Sequence, residues 1–204
     1  MSYLVPAQDL AVEETLKKSR FITLLAHTQG LAAARAFWQD CKDKHPGARH
    51  WCFAAVAGHP TDGQQYAMSD DGEPAGTAGK PMLAQLLGSG LGEVSAVVVR
   101  YYGGVKLGTG GLVRAYGGGV ASALKALPSR LCVHYRTLEL TLPYGQLPDL
   151  QYWLQKTGSQ VLEESFADKV QLRIAVPDGE QEGLLAWLAL QPAIQCRALN
   201  EDTP

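Results

Sequence analysis

Val94-Ser95-Ala96-Val97-Val98-Val99-Arg100-Tyr101-Tyr102-Gly103-Gly104-Val105-Lys106-Leu107-Gly108-Thr109-Gly110-Gly111-Leu112-Val113-Arg114 passes through three kinds of local structure. Its first nine residues are nearly all apolar, and six are β-branched valine or aromatic tyrosine. That pattern predicts a strand over residues 94–102 buried on both faces. A glycine-rich loop follows. Val113, Tyr116, Val120, Leu124 and Leu127 then recur on one stripe, which predicts a helix over residues 112–127. Loops of this kind can hold an anion on main-chain N–H groups. Arg100 at the strand end, Lys106 in the loop and Arg114 in the first helical turn can face one pocket. Gly108, Gly110 and Gly111 let the backbone approach a ligand there. The dinucleotide-binding fingerprint is not met, because Gly108-x-Gly110 is followed by Val113 where a third glycine is required. Further along, Gly117-Gly118-Gly119 costs ~1 kcal/mol per glycine in a helix interior. Tight packing of helix backbone on a sheet is the expected reason.

Upstream lies a second dense segment, Ser69-Asp70-Asp71-Gly72-Glu73-Pro74-Ala75-Gly76-Thr77-Ala78-Gly79-Lys80-Pro81, leading into a short helix over residues 82–87. Free N–H groups at a helix start attract anions. Gly76 and Gly79 allow close approach, Lys80 adds positive charge, and Pro81 suits a first helical turn. A nucleotide P-loop is excluded: position 74 is proline and Lys80 is followed by Pro81. Asp70, Asp71 and Glu73 supply hard oxygen atoms, but not at calcium-loop spacing, and no metal site is expected. One of these three carboxylates is expected to pair with Arg100, joining the two segments into one anion-binding pocket. His50 and Cys52 share a strand face, yet a core-edge histidine and a buried thiol are expected rather than a nucleophile pair. No hydrolase elbow or zinc-protease helix is present.

The rest of the chain frames these segments. Residues 10–17 and 21–27 read as strands around a Lys18-Ser19-Arg20 turn, residues 31–45 as a helix and residues 50–56 as a strand. After Pro128-Ser129-Arg130 the composition shifts, which sets domains at residues 1–128 and 129–204. The first carries a formal charge of +2 and the second −4. Sixteen of the 22 glycines lie between Gly58 and Gly119, all in the first domain. In the second, residues 131–142 read as a strand and 144–157 as a helix stopped by Gly158. Residues 160–166 and 169–175 read as strands about an Ala167-Asp168 hairpin. A helix over 179–190 capped by Asp178 and a last strand over 193–199 complete the pattern. The order β-α-β-β-α-β is the ferredoxin-like plan, so the fold class is α+β.

The whole chain has 204 residues, 46% hydrophobic and 19% charged, with a net charge of −2. Such composition excludes disorder and a strongly basic nucleic-acid coat. No apolar run reaches bilayer-spanning length and the first residues carry no export signal, so a cytoplasmic protein without membrane contact is expected. Cys41, Cys52, Cys132 and Cys196 match no metal-knuckle spacing and are expected as reduced thiols.

The paired segments, Ser69-Asp70-Asp71-Gly72-Glu73-Pro74 with Gly76-Thr77-Ala78-Gly79, and Arg100-Tyr101-Tyr102-Gly103-Gly104 with Lys106-Leu107-Gly108 and Gly110-Gly111-Leu112, resemble the IMPACT family. The resemblance covers nearly the whole chain. It implies an N-terminal α+β sandwich like those of a ribosomal protein and of GHMP-type kinases, and a ferredoxin-like second domain similar to one in elongation factors. Carried over residue by residue, it implies a pocket formed by Asp70, Asp71, Glu73, Thr77, Arg100, Lys106 and Arg114. Eukaryotic relatives regulate translation through an additional partner-binding RWD domain, which has no counterpart here. The resemblance implies a translation-associated accessory protein, not an enzyme, binding RNA, a ribosomal partner or a translation factor, with no cofactor. The alternative is a nucleotide-binding protein or phosphotransferase, in which Lys106-Leu107-Gly108-Thr109-Gly110-Gly111-Leu112 holds phosphates while Asp70 or Asp71 binds magnesium or acts as base.

Overall fold

A computed structural model describes residues 2–198. It divides into two compact units, one spanning Tyr3–Cys132 and the other built from Val133 onward. Both are mixed helix and sheet, and the fold is α+β. Among the described residues no helix is long and apolar enough to cross a membrane.

The strands of the first unit are β1 (Tyr3–Pro6), β2 (Leu10–Leu16), β3 (Ser19–His27), β4 (His50–Val56), β5 (Tyr66–Ser69), β6 (Val94–Tyr101) and β7 (Ser129–Cys132). Its helices are α1 (Gly30–Lys44), α2 (Gly79–Ser89) and α3 (Thr109–Ala126). Five strands form one antiparallel sheet in the order β2-β3-β6-β4-β5. The apolar run expected to be buried on both faces is its central strand β6. Val94, Ala96 and Val98 pack with Met82 and Leu86 of α2 and with Leu112, Tyr116 and Val120 of α3. Val97 and Val99 pack on the opposite face with Ala34 and Cys41 of α1. The sheet therefore separates two apolar layers, and strand period 2 assigns each β6 side chain to one of them.

Two local features position the later chemistry. The β2–β3 turn consists of Lys17 and Lys18, both at positive φ, rather than Lys18-Ser19-Arg20. Ser19 is drawn into the ladder opposite Leu16, fully buried, and its Oγ accepts hydrogen bonds from Gly103 N and Arg100 Nη2. At Gly103 a Cβ would lie 1.8 Å from the Lys18 carbonyl oxygen, so only glycine lets the loop cross this turn. In the glycine run of α3 only Gly119 packs tightly on the sheet as expected; Gly117 faces α2 instead, and a Cβ on Gly118 would meet nothing within 4 Å. A Cβ on Gly119 would meet Thr23 Oγ1 at 2.7 Å, and one on Gly117 would touch Pro81 of α2.

β7 pairs antiparallel with β1, so residues 129–132 belong with the first unit. The second unit contains β8 (Tyr135–Leu142), α4 (Leu147–Thr157), β9 (Gln160–Phe166), β10 (Val170–Pro177), α5 (Gln181–Ala189) and β11 (Gln195–Ala198). Its sheet order, β11-β8-β10-β9, is that of a ferredoxin-like fold. Leu138, Leu140 and Leu142 of β8 meet Leu150 and Leu154 of α4 and Leu184 of α5 in its core. The single strand expected over 131–142 is broken between β7 and β8. The hairpin loop includes Lys169 as well as Ala167 and Asp168, because pairing closes at Phe166–Val170. Asp178 does not cap α5; it starts a 3-10 turn and accepts a hydrogen bond from Gln181 Nε2. Of the last expected strand, Leu199 lies outside the described residues.

Candidate functional site

Arg100 is the last β6 side chain on the α2/α3 face. In register beside it stand Phe21 of β3 and His50 of β4. Only 5% of Arg100 is exposed. A guanidinium at such a place requires a counter-charge. Glu73 supplies it: Arg100 Nη1 donates to Glu73 Oε1 at 2.5 Å, and both side chains are buried. Tyr116 OH of α3 donates to the same oxygen at 2.7 Å. Arg100 therefore selects Glu73 from the three candidate carboxylates. Its Nε is buried without a hydrogen-bond partner.

Asp70 and Asp71 have other work. Asp70 Oδ1 accepts from Ala78 N and Gly79 N, and Oδ2 accepts from Gly76 N, all within 2.9 Å. Burial pushes the Asp70 pKa up, but the three N–H donors outweigh it and hold the group below the usual aspartate range. The α2 start therefore carries an anion already, the chain's own carboxylate. This corrects the expectation that Gly76 and Gly79 offer their N–H groups to a ligand. Asp71 accepts from Trp51 N and pairs with Lys42 Nζ at 2.9 Å. Thr77 is buried and donates its hydroxyl to the Pro74 carbonyl. The oxygens proposed for magnesium binding or base chemistry are thus committed to holding the loop.

A cleft of about 450 Å³ opens beside Arg100. One wall is Glu73 and Pro74; another is Lys106, Leu107, Gly108 and Thr109, with Leu112 behind. Arg49, His50 and Tyr102 complete it. The α3 N-terminus reaches this cleft, and its N-cap, Gly108, has no side chain with which to satisfy the first-turn N–H groups. Lys106 and Arg49 are exposed. Arg100, Lys106, Gly108 and Glu73 are thus brought together as expected. Lys80 and Arg114 are exposed and do not line the cleft. Arg114 turns back to donate from Nε to the Gly110 carbonyl. Gly110 and Gly111 contribute the α3 first turn rather than the cleft wall.

Sequence reasoning did not assign Arg49, Tyr102 or Thr109 to the site. Arg49 precedes a strand distant in sequence, and only the β4–β6 register, His50 opposite Arg100, carries it here. Tyr102 follows Arg100 by two, and period-2 alternation could have placed it on the same side.

His50 and Cys52 do not form a pair. His50 Nδ1 donates to the Asp71 carbonyl at 2.8 Å, and the Cys52 thiol donates to the Asp70 carbonyl at 3.0 Å. Burial pushes the Cys52 pKa up to about 12, which removes thiolate character near neutral pH. Burial also drives the Tyr116 hydroxyl well above the ordinary tyrosine value, so it remains a donor to Glu73.

Residues 17–124 match the Impact N-terminal domain, and residues 140–189 match a domain of unknown function, DUF1949. The chain is 52% identical over 202 residues to the IMPACT family member YigZ of Escherichia coli (strain K12), covering 98% of this chain and 99% of that protein. It is 56% identical over 176 residues to an IMPACT family member of Haemophilus influenzae, covering 86% and 85%. A crystal structure described as a hypothetical protein shares 49% identity, with a TM-score of 0.71 and 98% of each chain covered.

Proposed function

Because this chain belongs to the IMPACT family, we propose that it is a cytoplasmic, translation-associated protein whose first unit binds RNA through a phosphate held in the Arg100 cleft. One observation carries this reading. Three cationic side chains, Arg49, Arg100 and Lys106, line the same cleft as the uncapped start of the 18-residue helix α3. The lone carboxylate among the lining residues, Glu73, is already paired with Arg100. The cleft therefore presents net positive charge and oriented N–H donors, a combination suited to a phosphate. Binding is favoured over phosphoryl transfer, since Asp70 and Asp71 are spent on backbone N–H groups and Lys42.

The second unit is less suited to hold RNA. Across its open sheet face, Arg197, Glu139, Arg173 and Glu163 stand in one register row with alternating sign. The next row, Gln195, Thr141, Gln171 and Ser165, is neutral. These rows hold no aromatic ring on which a base could stack, and their charges cancel in pairs.

Fluorescence anisotropy of a labelled oligoribonucleotide at low salt tests the proposal. Binding should weaken steeply with added salt, and Lys106→Ala or Arg49→Ala should each lower the salt slope by about one. Absence of binding at low salt overturns it. Co-sedimentation with ribosomes at low and high salt then separates free RNA from ribosomal RNA as the target.

A further inference from the structure

We infer that the cleft is specific for single-stranded RNA, with one phosphate at the α3 start and a neighbouring base stacked on Tyr102. This rests on the RNA-binding reading above and adds the form of RNA and the residue that selects it.

A second hollow, of about 570 Å³, adjoins the first and is lined by Gly47, Ala48, Arg49, Tyr101 and Tyr102. Arg49 and Tyr102 line both hollows, so together they form the ridge between them. Tyr102 lies just beyond the end of β6 and is 45% exposed. One face of its ring is held by Arg100, whose guanidinium lies 5.4 Å from the ring centroid. That contact takes one face, and the exposure of the side chain leaves the rest of the ring open to solvent. The neighbouring Tyr101 is less exposed and has more partners: besides Arg20 over its ring at 5.3 Å, the His45 ring meets it edge-on with centroids 6.2 Å apart, and its OH is 3.0 Å from His45 Nδ1. Tyr102 is therefore the available ring. Gly47 and Ala48, with no side chain and a single methyl, line the same hollow and take up little of its space.

The two hollows thus offer different chemistry to consecutive parts of one strand. The first offers cations and N–H donors for a phosphate; the second offers an exposed aromatic face and the Arg49 guanidinium for an unpaired base. Aromatic platforms beside a cationic groove recognise single strands, because a duplex keeps its base faces stacked internally. Arg49, shared by both hollows, can bridge phosphate and base.

The test compares a single-stranded oligoribonucleotide of about ten nucleotides with the same sequence as a duplex, using the full chain. The wild type should bind the single strand more tightly. Tyr102→Ala should weaken that binding roughly 5- to 150-fold, the loss of one stacked base, while Tyr102→Phe, which keeps the ring, should bind like the wild type. A 2-aminopurine base in the strand should be quenched by wild type and Tyr102→Phe, and not by Tyr102→Ala. Equal binding of single strand and duplex, or unchanged affinity in Tyr102→Ala while Lys106→Ala and Arg49→Ala still weaken it, overturns the single-strand inference and leaves the RNA-binding reading standing. Failure of the wild type to bind either form overturns both.

Discussion

Replacing Arg100 with methionine keeps the apolar stem and removes the charge. Glu73, with only 4% of its side chain exposed, then retains the Tyr116 hydroxyl at 2.7 Å and the His50 Nε2 at 4.0 Å, but loses its guanidinium partner at 2.5 Å. Stranding one member of a buried ion pair costs about 3–5 kcal/mol. Ser19 Oγ loses a weaker contact at 3.4 Å, which adds little. Each unit has its own core, so a whole-chain melting curve would mix two transitions. Native-state hydrogen exchange at Val97, Val98 and Val99 of β6 instead reads the first unit alone. Protection there should fall by roughly two to three and a half orders of magnitude. Arg100→Met combined with Glu73→Gln should cost less than the two single changes added together, by more than about 1 kcal/mol, because the partners share one interaction. A single-variant loss below about 1 kcal/mol, or strict additivity, refutes the claim that this pair is a buried unit.

Asp70→Ala removes the acceptor for three N–H groups at the α2 start and should destabilise the first unit by about 1–2 kcal/mol, read by the same exchange experiment. Because the Asp70 pKa is lowered in the folded chain, its contribution is complete above the ordinary aspartate value of about 3.9 and is lost as pH falls through the depressed folded value. The stability difference between wild type and Asp70→Asn should shrink in that acid range; a difference that grows on acidification contradicts the assignment. Cys52, its pKa pushed to about 12, should resist alkylation at pH 8 in the folded protein and react after unfolding, as followed by peptide mass mapping. Gly119→Ala should destabilise by about 1–3 kcal/mol, since the new methyl meets Thr23 Oγ1. Gly118→Ala, with open space at that position, should stabilise by up to about 1 kcal/mol, and hydrogen exchange at the β6 amides, which reads the first unit alone, decides the pair.

The long periodic segments were legible from the chain alone. The strand His50–Val56 and the apolar run that became β6 both declare themselves by side-chain type, and the second unit announces its fold through the alternation of its elements. Four-residue strands such as Tyr3–Pro6 and Tyr66–Ser69 are too short for a period to emerge, and only pairing with a distant partner creates them. At the site, the Arg100 pairing with one acidic residue followed from the cost of burying a lone charge, although its choice of Glu73 required the fold. What the sequence could not reveal is which groups the chain consumes itself. Gly76, Gly79 and Asp70 look like a site for an outside anion, until the backbone folds Asp70 onto those same N–H groups. Arg49 was hidden for the opposite reason: nothing local marks it, and strand register alone delivers it to the cleft.

The central claim is that RNA phosphate binds at the α3 start, and amide chemical-shift mapping during titration with a single-stranded oligoribonucleotide tests it residue by residue. The account predicts shifts concentrated at Thr109, Gly110 and Gly111, with Lys106, Arg49 and Tyr102 around them, and little change at Gly76, Ala78 and Gly79, whose N–H groups remain bonded to Asp70. Shifts centred on Gly76–Gly79 or on the β8–β11 sheet face, with Thr109–Gly111 unmoved, would contradict it.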